Sequence, residues 1–249
     1  MKQLTVFVLL SSLAVPYEKN DKLFHEANEM YISENYNGSI EIYESIISSD
    51  RANSAVFYNL GNSYFRLKKI GQAIWAYKHA HRLSPRDKDI IHNLNIAEAF
   101  KVDRINRPTS FVFHEFYRKI KSNFTILEGL LMGSFLFLLL SLISFYRSFY
   151  DKKSRFLINI SHMNIIFIII VHSVILDKFF QEKKINNGAI IIKKVDAHSG
   201  PLLGSNKILF QINEGSMAEV LEERNNWSQV ILLDGKKGWV LTKSIRKMN

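Results

Sequence analysis

The sequence predicts a multidomain membrane protein with an α-helical repeat region, two transmembrane helices and a small all-β barrel. Three observations predict it. Residues 19–106 align with themselves when shifted by 34, a repeat length used by stacked helix pairs. Two uncharged runs, Gly129–Tyr146 and Phe156–Leu176, are 18 and 21 residues long. Past residue 188 the apolar pattern changes from a helical to an alternating period, with turn residues between short runs.

Composition narrows the function. The 249 residues include no cysteine, which excludes disulfides, thiolate metal sites, cysteine nucleophiles and lipid attachment through cysteine. The net charge of +10 is uneven: +1 over residues 17–110, +5 over 111–188 and +3 over 189–249. Most of the excess flanks the apolar runs, where cations meet anionic headgroups or set topology. It reads as membrane charge and not as a nucleic-acid surface.

Residues 1–16 read as a secretory signal. Lys2 precedes the apolar stretch Leu4–Val15, and small Ser12 and Ala14 stand two apart. Residues 17–110 are helical. The shift of 34 pairs Ala27 with Gly61, Asn28 with Asn62, Ser39 with Ala73 and Tyr43 with Tyr77. Small Gly61 and Ala73 allow two helices to cross closely, Tyr64 and Tyr77 fill the space around them, and Pro85 cannot continue the second helix. The set Phe57, Leu60, Gly61, Tyr64, Ala73, Tyr77, Ala80 and Pro85 resembles a tetratricopeptide (TPR) repeat. The first unit departs from that pattern at Ser39, Ile46 and Arg51. A third begins near Asp87, with Ile91, Leu94 and Ala97 on one face, and is read as a capping helix. Two units are fewer than a stable solenoid needs, so the region is expected to lean on the membrane or on a partner.

A basic juxtamembrane linker, residues 111–125 with Arg118, Lys119 and Lys121, leads to the spans at 126–146 and 156–177. The two uncharged runs would reach about 27 and 31 Å as helices, against a hydrocarbon core of ~30 Å. Between them, residues 147–155 hold Arg147, Lys152, Lys153 and Arg155 against Asp151, which assigns this loop to the cytoplasm. With the signal, that places the protein in a bacterial inner membrane with both soluble parts periplasmic. Gly129 and Gly133 form a small-residue pair suited to close helix contact.

Residues 188–249 read as five or so short strands, among them Ala189–Ile192, Ala218–Leu221, Val230–Leu233 and Gly238–Leu241. The order Gly215, Val220-Leu221-Glu222, Trp227, Val230, Asp234-Gly235, Gly238-Trp239-Val240 and Ile245 resembles bacterial SH3 domains. Asp234-Gly235 suits a tight hairpin, and Gly238 suits close strand approach.

Taken with Tyr58-Asn59-Leu60-Gly61-Asn62-Ser63-Tyr64, Gly71-Gln72-Ala73-Ile74, Leu83-Ser84-Pro85-Arg86-Asp87 and His92-Asn93-Leu94, this order of modules resembles the BatE-like TPR proteins of the Bacteroides aerotolerance (Bat) operon. The resemblance implies a non-catalytic membrane scaffold tied to oxygen tolerance and envelope stress. It implies von Willebrand A-type Bat proteins as membrane partners, and a link to a MoxR-type ATPase.

The TPR resemblance places Phe24, Asn28, Tyr31, Tyr58, Asn62, Phe65 and Arg66 on a concave partner-binding face. Asn28 and Asn59 match the asparagines of a carboxylate clamp, but Phe24, Asp89 and Asn93 hold its lysine places, so capture of a C-terminal carboxylate is not expected. An aromatic groove with one arginine suits an extended or helical protein segment. Trp227 and Trp239 are either barrel core or a ligand face for peptide or peptidoglycan. His162 and His172 lie in the second span, where polar residues mark ion paths or bond to a neighbouring helix. No HExxH, P-loop or GxSxG motif occurs. No enzyme, cofactor or metal is expected. The alternative function is a membrane anchor that grips peptidoglycan through the barrel.

Overall fold

Polar side chains cap three of the described helices of the N-terminal region. The structure, a computed structural model, describes residues 17–49, 52–103, 112–150, 154–186, 188–201 and 207–248. The signal at residues 1–16, Arg51 and residues 151–153 of the inter-span loop lie outside the described residues. Five helices come first: α1 (Tyr17–Ile32), α2 (Tyr36–Ser48), α3 (Ser54–Arg66), α4 (Ile70–Leu83) and α5 (Lys88–Ala99). The side chains of Asn35, Asn53 and Asp87 accept hydrogen bonds from the backbone N–H of Gly38, Val56 and Ile90, satisfying donors that an uncapped helix would leave open. Each helix packs on the next.

The 34-residue repeat extends to the backbone. Glu34 and Lys68, one period apart, both take the left-handed conformation, with φ 60° and 57°. Each N–H bonds three residues back, to Tyr31 O at 3.0 Å and Phe65 O at 2.9 Å. The position costs a side-chain-bearing residue about 1–2 kcal/mol, so two occurrences in register mark a turn that packing imposes. At Gly61 a Cβ atom would meet the Tyr77 ring at 2.5 Å, which is why this crossing takes glycine. Ser39 is fully buried and donates to Ser63 Oγ at 2.8 Å, so the unit's departure from alanine is matched by a polar partner.

Within the expected juxtamembrane linker, residues 112–122 are helical. They form α6 (Val112–Ser122), because their apolar and basic residues alternate at helical spacing. Helix α7 runs Ile126–Phe149 and takes in Arg147, and α8 runs Arg155–Asn186. Both are long and apolar enough to cross a membrane. They pack together with Gly129 and Gly133 at the contact, where a Cβ would meet Ile175 and His172, each at 2.7 Å. The glycine pair therefore serves the hairpin within the chain.

The C-terminal region has seven strands: β1 (Gly188–Ile191), β2 (Val195–His198), β3 (Ile208–Ile212), β4 (Met217–Arg224), β5 (Trp227–Leu232), β6 (Lys237–Leu241) and β7 (Ile245–Lys247). They form a sheet in the order β3-β2-β6-β5-β4-β1-β7. All seven contribute to one core of Ile191, Ala197, Ile212, Ala218, Val230, Leu232, Val240 and Ile245, so the sheet curls around it as a small barrel. At Gly238 a Cβ would lie 2.8 Å from that of Ala197, the close approach of β6 to β2.

Helices α1–α5 and the barrel form one compact unit, and α6–α8 belong to a second. In the first, Arg246 is the central contact. Its guanidinium lies 3.4 Å from the centre of the buried Trp75 ring, pairs with Glu44 at 2.7 Å and donates to Tyr64 Oη at 3.1 Å. Tyr64 donates in turn to Glu44 at 2.7 Å. Burial, then the charges of Arg82 and Arg246, push the neighbouring His79 down to about 3, so its imidazole is neutral and adds no competing charge. A second contact joins Asp103 to the barrel. Its carboxylate accepts from Asn213 N at 2.7 Å, Asn213 Nδ2 at 2.8 Å and Ser216 Oγ at 3.0 Å. Burial alone would raise that carboxyl, and these hydrogen bonds outweigh it and hold it below its usual range. Between them, Glu214 accepts from Ile70 N at 3.0 Å, and a Cβ at Gly71 would strike Ile191 O at 2.5 Å.

Arg246→Ala removes a desolvated cation–π contact and a charged hydrogen bond, and is expected to destabilise the unit by about 2–3 kcal/mol. Thermal unfolding in detergent reads this as a lower midpoint together with faster proteolysis between helices and barrel. An unchanged midpoint and cleavage pattern would show that the contact carries no stability.

Candidate functional site

An asparagine and a tyrosine recur together in each repeat. Asn28 Oδ1 accepts from Tyr43 Oη at 2.5 Å and from Asn59 Nδ2 at 2.8 Å. One period later, Asn62 Oδ1 accepts from Tyr77 Oη at 2.7 Å and from Asn93 Nδ2 at 3.0 Å. Each relay joins both helices of one unit to the first helix of the next. Burial pushes the Tyr43 phenol up to about 12 and raises that of Tyr77 as well, so both remain donors near neutral pH. Asn28 and Asn59 thus bond to one another and to a buried tyrosine.

Two adjoining hollows lie on this face. One, of about 320 Å³, is lined by Tyr31, Tyr58, Asn62, Phe65, Arg66, Tyr77, Asn93 and Ile96. The other, of about 260 Å³, is lined by Asn28, Tyr31, Ile32, Asn59 and Asn62. They share Tyr31 and Asn62 and together make a groove across α1, α3 and α5. Tyr58 accepts from Asn93 at 2.9 Å, and Phe65 stands edge-on to Phe100 with centroids 5.6 Å apart. Arg66 is exposed at the rim, its Nε 3.3 Å from Tyr31 Oη. A wall of ring faces with one cation at its edge suits a chain segment carrying apolar side chains and an acidic group.

Of the seven residues expected on this face, the structure brings six together. Phe24 lines neither hollow among the described residues and packs on Tyr43, with centroids 6.1 Å apart. Sequence reasoning does not place Ile32, Tyr77 or Ile96 here, and names Asn59 and Asn93 only at clamp positions. The 34-residue shift pairs Asn59 with Asn93 and was the signal that could have placed both on the groove.

Trp227 and Trp239 offer no open ligand face, since each is 6% exposed. They alternate with Ser228, Val230 and Val240 along β5 and β6, placing them opposite the core side chains. The His198 ring closes on Trp227 edge-on at 5.3 Å, and the Arg224 guanidinium lies 5.7 Å from the centre of the Trp239 ring. His162 and His172 do not converge on a path. His172 bonds through Nδ1 to Ile168 O at 2.8 Å in the notch left by Gly133, while His162 is exposed on α8.

Residues 195–246 match the bacterial SH3 domain family model. The C-terminal barrel has that fold. The match starts with β2 and ends within β7, and Arg246 is its last residue. No curated protein matches the chain.

Asn62→Leu keeps the volume of the relay but leaves the donors of Tyr77 and Asn93 without their acceptor. The expected loss is about 1–3 kcal/mol, read as a lower unfolding midpoint. A midpoint equal to that of the unsubstituted protein would mean the relay does not hold the repeats together.

Proposed function

We propose that the protein is a non-catalytic inner-membrane scaffold of the BatE type. Helices α1–α4 act as two TPR units with α5 as cap, α7 and α8 cross the membrane, and the groove docks a segment of another membrane protein. The observation that carries this reading is the groove itself, a cation-rimmed aromatic surface whose asparagine–tyrosine supports repeat with the period of the units. The von Willebrand A-type Bat proteins are the partners the resemblance implies, with a MoxR-type ATPase linked to the complex.

The membrane reading is supported by burial. Only 6% and 11% of the apolar windows of α7 and α8 is buried, and uncovered apolar helices of that length suit lipid and not a soluble core. That α1–α5 and the barrel form one unit supports a same-side arrangement, the one a two-helix hairpin gives. The basic inter-span loop argues for the periplasm as that side. A peptidoglycan-anchor role keeps one support, the bacterial SH3 match, and loses another, because the two tryptophans are closed.

Two outcomes are expected. In cross-linked native membranes, Tyr58→Ala with Phe65→Ala should lose specific co-purifying proteins while remaining folded and membrane-bound. An unchanged partner set would move recognition away from the groove, and isolated barrel that pellets with purified peptidoglycan would favour the anchor role. Single cysteines at Ser49, Ser154 and Asn226 should label with an impermeant maleimide as outside, inside and outside. Labelling of the Ser154→Cys variant in intact spheroplasts would reverse the topology.

A further inference from the structure

Helix α6 is the most strongly amphipathic of the described helices, and it ends three residues before the first span begins. Phe116 and Ile120, one turn apart, are 64% and 43% exposed, and Phe124 just beyond is 45% exposed. Arg118 projects on the other side of the helix, while Lys119, three residues from Phe116, lies on the flank beside it, as their spacing from Phe116 and Ile120 requires. The break between α6 and α7 is built in. Thr125 caps α7 by accepting from Glu128 N at 3.1 Å, while Glu128 accepts from Thr125 N at 2.9 Å.

The edge of α6 is tied to the far end of α8. Asp177 accepts from Tyr117 Oη at 2.7 Å and from Lys121 Nζ at 2.5 Å. Lys178 donates to the backbone carbonyls of Lys121 and Phe124. Tyr117 and Lys121 are one turn apart, so the contact fixes the rotation of α6 about its own axis. It leaves Phe116 and Ile120 uncovered beside the start of a span.

We propose that α6 is a lipid-binding element. Its Phe116–Ile120 face enters the headgroup–acyl boundary of the leaflet where α7 begins, and Lys119 with Arg118 contacts anionic lipid phosphates. The occupant is the bilayer. Continuity with the spans places α6 within reach of that surface, and the polar face is cationic where the headgroups are anionic. A helix with one apolar face, a basic opposite face and an interfacial position binds in the membrane plane without crossing it. The Tyr117–Asp177–Lys121 contact sets how deep and at what rotation it lies. The inference rests on the proposed membrane reading of α7 and α8.

The absence of cysteine makes the test direct. The full chain is reconstituted in nanodiscs of phosphatidylethanolamine and phosphatidylglycerol, with one spin label at Phe116→Cys, Lys119→Cys, Ile120→Cys, Ser122→Cys or Leu138→Cys. Labels at 116 and 120 should be severalfold more accessible to oxygen than to a water-soluble nickel complex, that at 122 the reverse, and that at 119, on the flank, between the two. Replacing phosphatidylglycerol with phosphatidylcholine should raise nickel access at 120, and Arg118→Gln with Lys119→Gln should remove that lipid dependence. Water-like access at 116 and 120 with lipid-like access at 138 would overturn the proposal and leave the spans standing. Water-like access at 138 as well would overturn the membrane reading. Poor access to both reagents at 116 and 120 would mean that protein covers the face, which also overturns the proposal. Lipid-like 116 and 120 with no effect of headgroup charge would overturn its phosphate part.

Discussion

Helices α1–α5 are braced by a residue far along the chain. Arg246 brings a full positive charge against the Trp75 ring and satisfies it with Glu44 and Tyr64. Such a charge is tolerated out of water only when paired and hydrogen-bonded. Asp103 repeats the device from the helical side, its carboxylate filled by three donors of the barrel. The two contacts have opposite polarity, with a cation entering from the barrel and an anion from the helices. A shifted docking would leave both charges unpaired, so the pair specifies one register. The support that a short array needs is therefore supplied by the barrel.

The groove depends on that support indirectly. Its walls are held by Asn28 and Asn62, each an acceptor for a buried tyrosine and for an asparagine of the next helix. Tyr77 belongs to α4, the same helix that carries Trp75 and the close contact at Gly71. The face that meets the barrel and the face that lines the groove are thus two sides of one helix. The arrangement also draws on the amide donors that a carboxylate would need, since Asn59 Nδ2 and Asn93 Nδ2 already donate to Asn28 Oδ1 and Asn62 Oδ1.

Features with a local period were legible in the sequence. The repeat of 34 led to Tyr43, Tyr77, Asn28 and Asn62, and the two uncharged runs led to α7 and α8. Strands β1, β4, β5 and β6 stood out as apolar runs between turn residues. Strand β2 did not, because Val195-Asp196-Ala197-His198 is four residues long and is made a strand by pairing with β3 and β6. Helix α6 was hidden because its charge was read without its spacing. The contacts of Arg246 and Asp103 span 202 and 110 residues, and no local pattern announces pairings at that separation.

The same contacts bear on what the barrel can bind. Its β7, its β3–β4 turn at Asn213–Ser216 and the end of β1 are occupied by the helices. The two tryptophans that would give a sugar or peptide a flat surface are 6% exposed, behind His198 and Arg224. A bacterial SH3 domain committed on one side and closed over its large aromatics is better suited to hold another module than to grip a polymer. The open aromatic surface of this unit lies between α1, α3 and α5, where Tyr31, Tyr58 and Phe65 face an arginine at the rim. The open aromatic surface and the face that meets the barrel are thus on different sides of the helices, and the barrel is the buttress that keeps that surface in shape.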